Sequence, residues 1–142
     1  MVWYNDRLVK KSANKMFKEA IKKAVSDHKA IEKRDTTIRE VVSAFLSDIS
    51  ESLKEGFVVD VTAAYKKRVS IAKSSPVYDD KLPGYLFLFD YSLDRKGASF
   101  YLPNGETRMA DTLTSVMRVL TNVIEQDGLL LNYIDGRKVG AE

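Results

Sequence analysis

The sequence predicts an α+β domain: two N-terminal helices, a small, mainly antiparallel sheet with an aromatic hairpin, and a third helix packed on that sheet. Three observations predict it. Apolar residues recur at helical spacing over residues 6–31 and 37–55, and again over 108–126. Between the last two lie short apolar runs separated by turn residues, most clearly YLFLFDYSLDRKGASFYLP at 85–103. The 142 residues make one domain by size, long enough for a working core. Within it the expected order is a basic amphipathic helix (1–35), a helix and strand (36–62), a basic segment and loop (63–84), and a hairpin, helix and strand (85–134).

The first helix is expected from Asp6 to Ile31, with Asn5 as N-cap and Tyr4 packing on Val9 as a hydrophobic staple. At about 100° per residue, Val9, Ala13, Met16, Phe17, Ala20, Ala24 and Ile31 share one face. Arg7, Lys11, Lys15, Lys18, Lys22, Lys29 and Lys33 fall within about 80° of arc on the opposite face. The polar EKRDTT ends the helix. Thr37 with Glu40 reads as a capping box opening the second helix, which buries Ile38, Val42, Phe45, Ile49 and Leu53 and stops at Gly56.

FVVDV then forms a short strand with Phe57, Val59 and Val61 on one face. TAAYKKRVSIA fits either a strand, with Tyr65, Val69 and Ile71 alternating against Lys66, Arg68 and Ser70, or a short helix. KSSPVYDDKLPG is a polar loop. The hairpin pairs Tyr85–Leu93 with Ala98–Leu102 around Asp94-Arg95-Lys96-Gly97, and its alternation sets Tyr85, Phe87, Phe89 and Tyr91 against Leu86 and Leu88. PNGET makes another turn. The third helix is expected from Arg108 to Gln126, with Leu113, Val116, Met117, Leu120, Val123 and Ile124 apolar. Gly128 ends it, LLLNYI is the last strand, and DGRKVGAE is a polar tail. An acidic-plus-Gly helix stop entering an apolar strand thus occurs twice, in SLKEGFVVDV and IEQDGLLLNY, as a weak duplication or as a common connection.

Several function classes are excluded or disfavoured. The chain has no cysteine, hence no disulfide, thiolate metal site or cysteine nucleophile. The N-terminal MVWYNDRLVKK lacks the apolar core of a signal peptide, and no apolar run approaches the roughly 18 residues of a membrane span. The expectation is a soluble, cytoplasmic protein with no membrane partner. His28, the only histidine, is expected to pack on the first helix rather than to catalyse or ligate. Asp79-Asp80 reads as a solvated turn without further acids at ligand spacing. No phosphate-binding glycine loop or nucleophile elbow occurs. The chain is therefore expected to be non-catalytic, with no cofactor and no metal.

Charge supplies the functional signal. The net charge is +3, but residues 1–35 carry +5 and residues 63–78 carry +4, against −3 in each remaining block. Seven cations in one arc span about 40 Å of helix at 1.5 Å per residue. Like charges at i,i+4 cost helix stability, so the stripe asks for a reason: a solvated lysine-rich face, nucleic-acid phosphates or an acidic surface of a protein partner. DNA phosphates fit, through sequence-independent, salt-sensitive contacts. The expected contacts are Lys11, Lys15, Lys18, Lys22 and Lys29, with Lys66, Lys67, Arg68, Arg95 and Lys96. A hairpin strand apolar on both sides is normally buried on both, so Tyr85, Phe87, Phe89 and Tyr91 are expected in a core or at a homo-oligomer interface, the interface being favoured, rather than as a stacking platform for nucleic-acid bases. The alternative is a structural assembly subunit, such as a ring or connector component of a virus particle. It would act through protein–protein contacts, and its stripe would meet an acidic neighbouring subunit.

TIREVVSAFLSDISESLKEGFVVDV, residues 37–61, resembles the second helix and first strand of the histone-like HU / integration host factor family of DNA-bending proteins. The basic Tyr65-Lys66-Lys67-Arg68 stands roughly where that family's second strand becomes positive. Arg95-Lys96-Gly97, with Pro103-Asn104-Gly105 later, is faintly similar to its DNA-clasping arm. Thr62-Ala63-Ala64 replaces the family's Gly-Phe-Gly turn, and Pro103 is not at a hairpin tip. The resemblance therefore implies a dimerising two-helix-plus-sheet core and DNA binding through basic residues, without intercalation by Pro103.

Overall fold

The computed structural model describes residues 6–63, 66–74, 82–126 and 128–139. The chain divides into two compact units, Met1–Arg34 and Asp35–Glu142. The architecture is α+β: a long helix, a five-stranded antiparallel sheet and a second helix. Two α-helices are present among the described residues, not three.

The first, α1 (Asp6–Ser52), runs unbroken for 47 residues. The expected stop at EKRDTT is therefore corrected. No glycine or proline occurs between residues 6 and 52. Asp35, Thr36 and Thr37 each cost at most about 0.7 kcal/mol relative to alanine in a helix. The polar stretch interrupts the apolar pattern and leaves the backbone ladder intact. Thr37 and Glu40 thus lie inside the helix and not at its start, while Asn5 and Tyr4 lie outside the described residues.

The C-terminal half of α1 buries Ile38, Val42, Phe45 and Ile49 as its spacing predicts. Its last carbonyls, which have no partner within the helix, are taken up by the C-terminal segment. The Asp135 N–H donates to Ser52 O (2.8 Å), and Lys138 Nζ donates to Leu53 O (2.9 Å). In return Lys54 N–H donates to Tyr133 O (2.9 Å). This segment is not the expected strand. Leu130–Tyr133 is a 3₁₀ turn, followed by a single bridge between Ile134 and Leu53. The buried residues, Leu130 and Tyr133, stand three apart, which is the period of that helix and not of a strand. The second half of the weak duplication therefore does not enter a strand.

Gly56 (φ 92°) turns the chain into the sheet. Its strands are β1 (Phe57–Ala63), β2 (Lys67–Lys73), β3 (Tyr85–Asp94), β4 (Gly97–Tyr101) and β5 (Thr107–Ala110), each antiparallel to the next in sequence order. β2 settles the ambiguous basic segment as a strand. Asp79-Asp80 lies outside the described residues. β5 occupies residues expected to begin the last helix, and α2 (Leu113–Gln126) starts after it. Thr112 and Ser115 form a reciprocal cap at that start. Thr112 Oγ1 accepts from Ser115 N–H (3.2 Å), and Ser115 Oγ accepts from Thr112 N–H (3.1 Å).

One irregularity decides where the hairpin's rings go. Val69 pairs with Phe89, but the next residue, Ser70, pairs with Phe87, so Leu88 is an extra residue bulged from β3. An extra residue exchanges the two faces of a strand. Phe89 and Tyr91 share the face of Val69 and Phe100, where Phe45 of α1 meets Phe89 edge-on at 5.8 Å. Tyr85 and Phe87 share the other face with Arg68 and Tyr101.

Candidate nucleic-acid interface

The lysine stripe is a property of α1 within the first unit. Lys11, Lys15, Lys18, Lys22 and Lys29 are all exposed. Among the described residues none of the five forms an ion pair or hydrogen bond. Successive members of this set stand three, four or seven residues apart, so they project over neighbouring turns of one helix surface. The only acid between Lys11 and Lys22 is Glu19, which falls outside the arc. Five ammonium groups held in a row, with their counter-charges left to solvent, form a line of positive potential suited to a polyanion.

The expected cations of β2 are placed differently. Arg68 forms a two-point ion pair with Asp90 of β3, Nε to Oδ1 at 2.8 Å and Nη2 to Oδ2 at 3.0 Å. Its guanidinium lies 4.9 Å from the Phe87 ring centroid. The hydrogen bond and charge of Asp90 raise the Arg68 pKa further above its already high value. The charge that would attract a phosphate is balanced by a carboxylate whose side chain is 12% exposed, beside 53% for Arg68. Lys67 Nζ sits 5.7 Å from the Tyr91 ring centroid on the other sheet face. Lys66 is exposed just before β2. Arg95 and Lys96 form the β3–β4 turn, where the Lys96 N–H donates to Asp94 Oδ1 (2.7 Å). The adjacency of Lys66, Lys67 and Arg68 in sequence therefore becomes three different environments.

The hairpin rings also divide. Phe89 and Tyr91 belong to the chain's own core, so they are corrected from interface to interior. Phe89 packs edge-on against Phe100 at 5.7 Å, and Tyr91 stacks on Phe100 at 6.0 Å. Tyr85 is half exposed, and Phe87, 6.4 Å from Tyr101, is partly so. Those two remain available to a partner. Sequence spacing alone missed both the bulge and Asp90, because each depends on which strand residue meets which.

The other candidates are quickly placed. His28 is exposed, not packed, and its Nε2 meets Glu32 Oε1 at 2.8 Å one turn on. Among the described residues no cluster of three or more His, Cys, Asp or Glu residues could hold a metal ion. Among them, too, no helix is long and apolar enough to cross a membrane. A crevice between β3, the turn after β4 and α2 is lined by Leu86, Leu88, Leu102, Val123 and Leu130, with amides from Asn104 and Asn122. No side chain of that lining is titratable. No protein-family model, curated protein or solved structure matches the chain.

Proposed function

We propose that this protein is a sequence-tolerant DNA-binding protein that grips the phosphate backbone through the lysine stripe of α1. The observation that carries this reading is the row of Lys11, Lys15, Lys18, Lys22 and Lys29, exposed and without acidic partners among the described residues. Nothing in the row reads base edges. Lysine presents a point charge to phosphate, and phosphate contacts position a protein without specifying sequence. Lys66 and the Arg95-Lys96 turn are further contacts on this reading, while Arg68 is a structural cation held by Asp90. The proposal rests on the stripe and not on the resemblance of residues 37–61.

The test is binding to a labelled random-sequence duplex at about 50 and 200 mM salt. With six to ten phosphate contacts, affinity falls by roughly 10³–10⁵ between those salts. Lys18→Glu with Lys22→Glu is expected to abolish binding. Absence of binding at the lower salt sinks the proposal.

One observation favours the rival reading, a structural assembly subunit. Large apolar residues on the same stretch of α1 are exposed, including Met16, Phe17 and Ile21. In that case the duplex is not bound at either salt, and Lys18→Glu with Lys22→Glu dissolves an assembly instead.

A further inference from the structure

The first unit of the chain exposes Leu8, Val9, Met16, Phe17, Ile21 and Val25, each between 49% and 66% accessible. Helices in proteins owe most of their stability to packing an apolar face. Val9, Met16 and Phe17 of these lie on the apolar face, opposite lysines that repel one another, and that face needs a cover; Leu8 and Val25 lie toward the lysine side.

We infer that the cover is a second copy of the same helix, paired antiparallel and crossing at Ala20. Size complementarity is the first reason. On the apolar face Val9, Met16, Phe17 and Ile31 are bulky and Ala13, Ala20 and Ala24 are small, with Ala20 at the middle. Parallel pairing sets Met16 beside the partner's Met16 and leaves a thin layer at Ala20 and Ala24. Antiparallel pairing sets Met16 beside the partner's Ala24 at both ends of the contact, Val9 beside the partner's Ile31, and Ala20 beside the partner's Ala20. The smallest residues then meet at the crossing, where the two helices come closest, with Met16 beside the partner's Ala24 on either side of it and Ala13 facing the partner's Asp27.

Charge complementarity is the second reason. Glu19 and Lys23 lie on one flank of the apolar face. About a crossing at Ala20, Glu19 comes opposite the partner's Lys23 within one turn, and the symmetric pair repeats it. Parallel pairing brings neither acid to a base. On the other flank Lys10 comes opposite the partner's His28 and Glu32, a pair whose two members already meet at 2.8 Å within one chain. The lysine stripe lies opposite the apolar face, so pairing leaves it outside. The inference is independent of whether that stripe binds DNA.

The chain contains no cysteine, so single cysteines report the geometry directly. The full-length protein is expected to sediment as a dimer at about 100 μM, where linkage favours association. Ala20→Cys is expected to form a covalent dimer under mild oxidation. Met16→Cys alone is not, because eight residues of axial offset separate the two thiols by about 12 Å. A mixture of Met16→Cys and Ala24→Cys chains is expected to cross-link. Glu19→Lys weakens the dimer, and Glu19→Lys with Lys23→Glu restores it. A monomer at that concentration overturns the inference. So does Met16→Cys cross-linking to itself as readily as Ala20→Cys, which would make the pair parallel.

Discussion

Gly97 closes the β3–β4 turn at φ 130°, and a Cβ built there would lie 2.7 Å from the Ala110 carbonyl oxygen. Both the backbone conformation and the neighbouring strand exclude a side chain. Gly97→Ala is expected to lower stability by about 1–3 kcal/mol in urea unfolding, whereas Gly105→Ala meets nothing within 4 Å and has only its own φ of 86° to overcome. At Asp135 the Arg137 backbone N–H and guanidinium hold the carboxyl below its ordinary value. A carboxyl lowered on folding stabilises the fold above its unfolded value, about 3.9, and that contribution disappears as pH falls through the folded value. Asp135→Asn is therefore expected to shrink the fall in melting temperature between about pH 5 and pH 3. Arg68 marks the limit of reading single residues. Its neighbours in sequence are cations, but its partner, Asp90, stands 22 residues away and is brought to it only by strand register.

At the scale of elements, α1 offers a direct test of continuity. Thr36→Pro removes a backbone donor and clashes with the carbonyl four residues before it, a cost of about 3 kcal/mol in a helix interior. Thermal unfolding followed by circular dichroism is expected to register that loss. A break at EKRDTT would instead have tolerated proline. The faces of α1 were legible because the 3.6-residue period survives in Ile38, Val42, Phe45 and Ile49. Its length was not, since a polar stretch without glycine or proline interrupts the apolar pattern and leaves the helix intact. The hairpin and its Arg95-Lys96 turn were legible from alternation and from Gly97. The division of its rings was not, because the extra residue, Leu88, is as apolar as its neighbours and leaves no mark in the pattern. β5 was hidden for a related reason. Four residues, Thr107–Ala110, are too few to show a period of two against the stronger helical pattern that follows. The lysine stripe, by contrast, needs only a helix and a spacing, so it could be named from sequence alone.

Over the whole molecule the two units carry opposite charge. Residues 1–34 hold ten Lys/Arg against four Asp/Glu, and the remainder holds thirteen against sixteen. The net +3 is thus +6 in the first unit and −3 in the second. On the proposed reading the first unit supplies most of the attraction for a polyanion, which gives the DNA experiment its control. Lys18→Glu with Lys22→Glu takes the net charge from +3 to −1, and Lys54→Glu with Arg118→Glu does the same. The first pair is expected to abolish binding and the second to leave it nearly intact. Loss with both would point to bulk charge instead of the stripe. The fastening of α1's last turn has a consequence for the order in which the chain is made. Leu53 and Lys138, joined by a hydrogen bond, are 85 residues apart. Closing a loop that long costs about 4 kcal/mol of chain entropy beyond a constant term, and such distant contacts slow folding. A nascent chain halted before residue 130 would hold all of α1 and every strand, yet the carbonyls at α1's end would still face water. Protection of that helix end therefore reports that synthesis has passed Lys138.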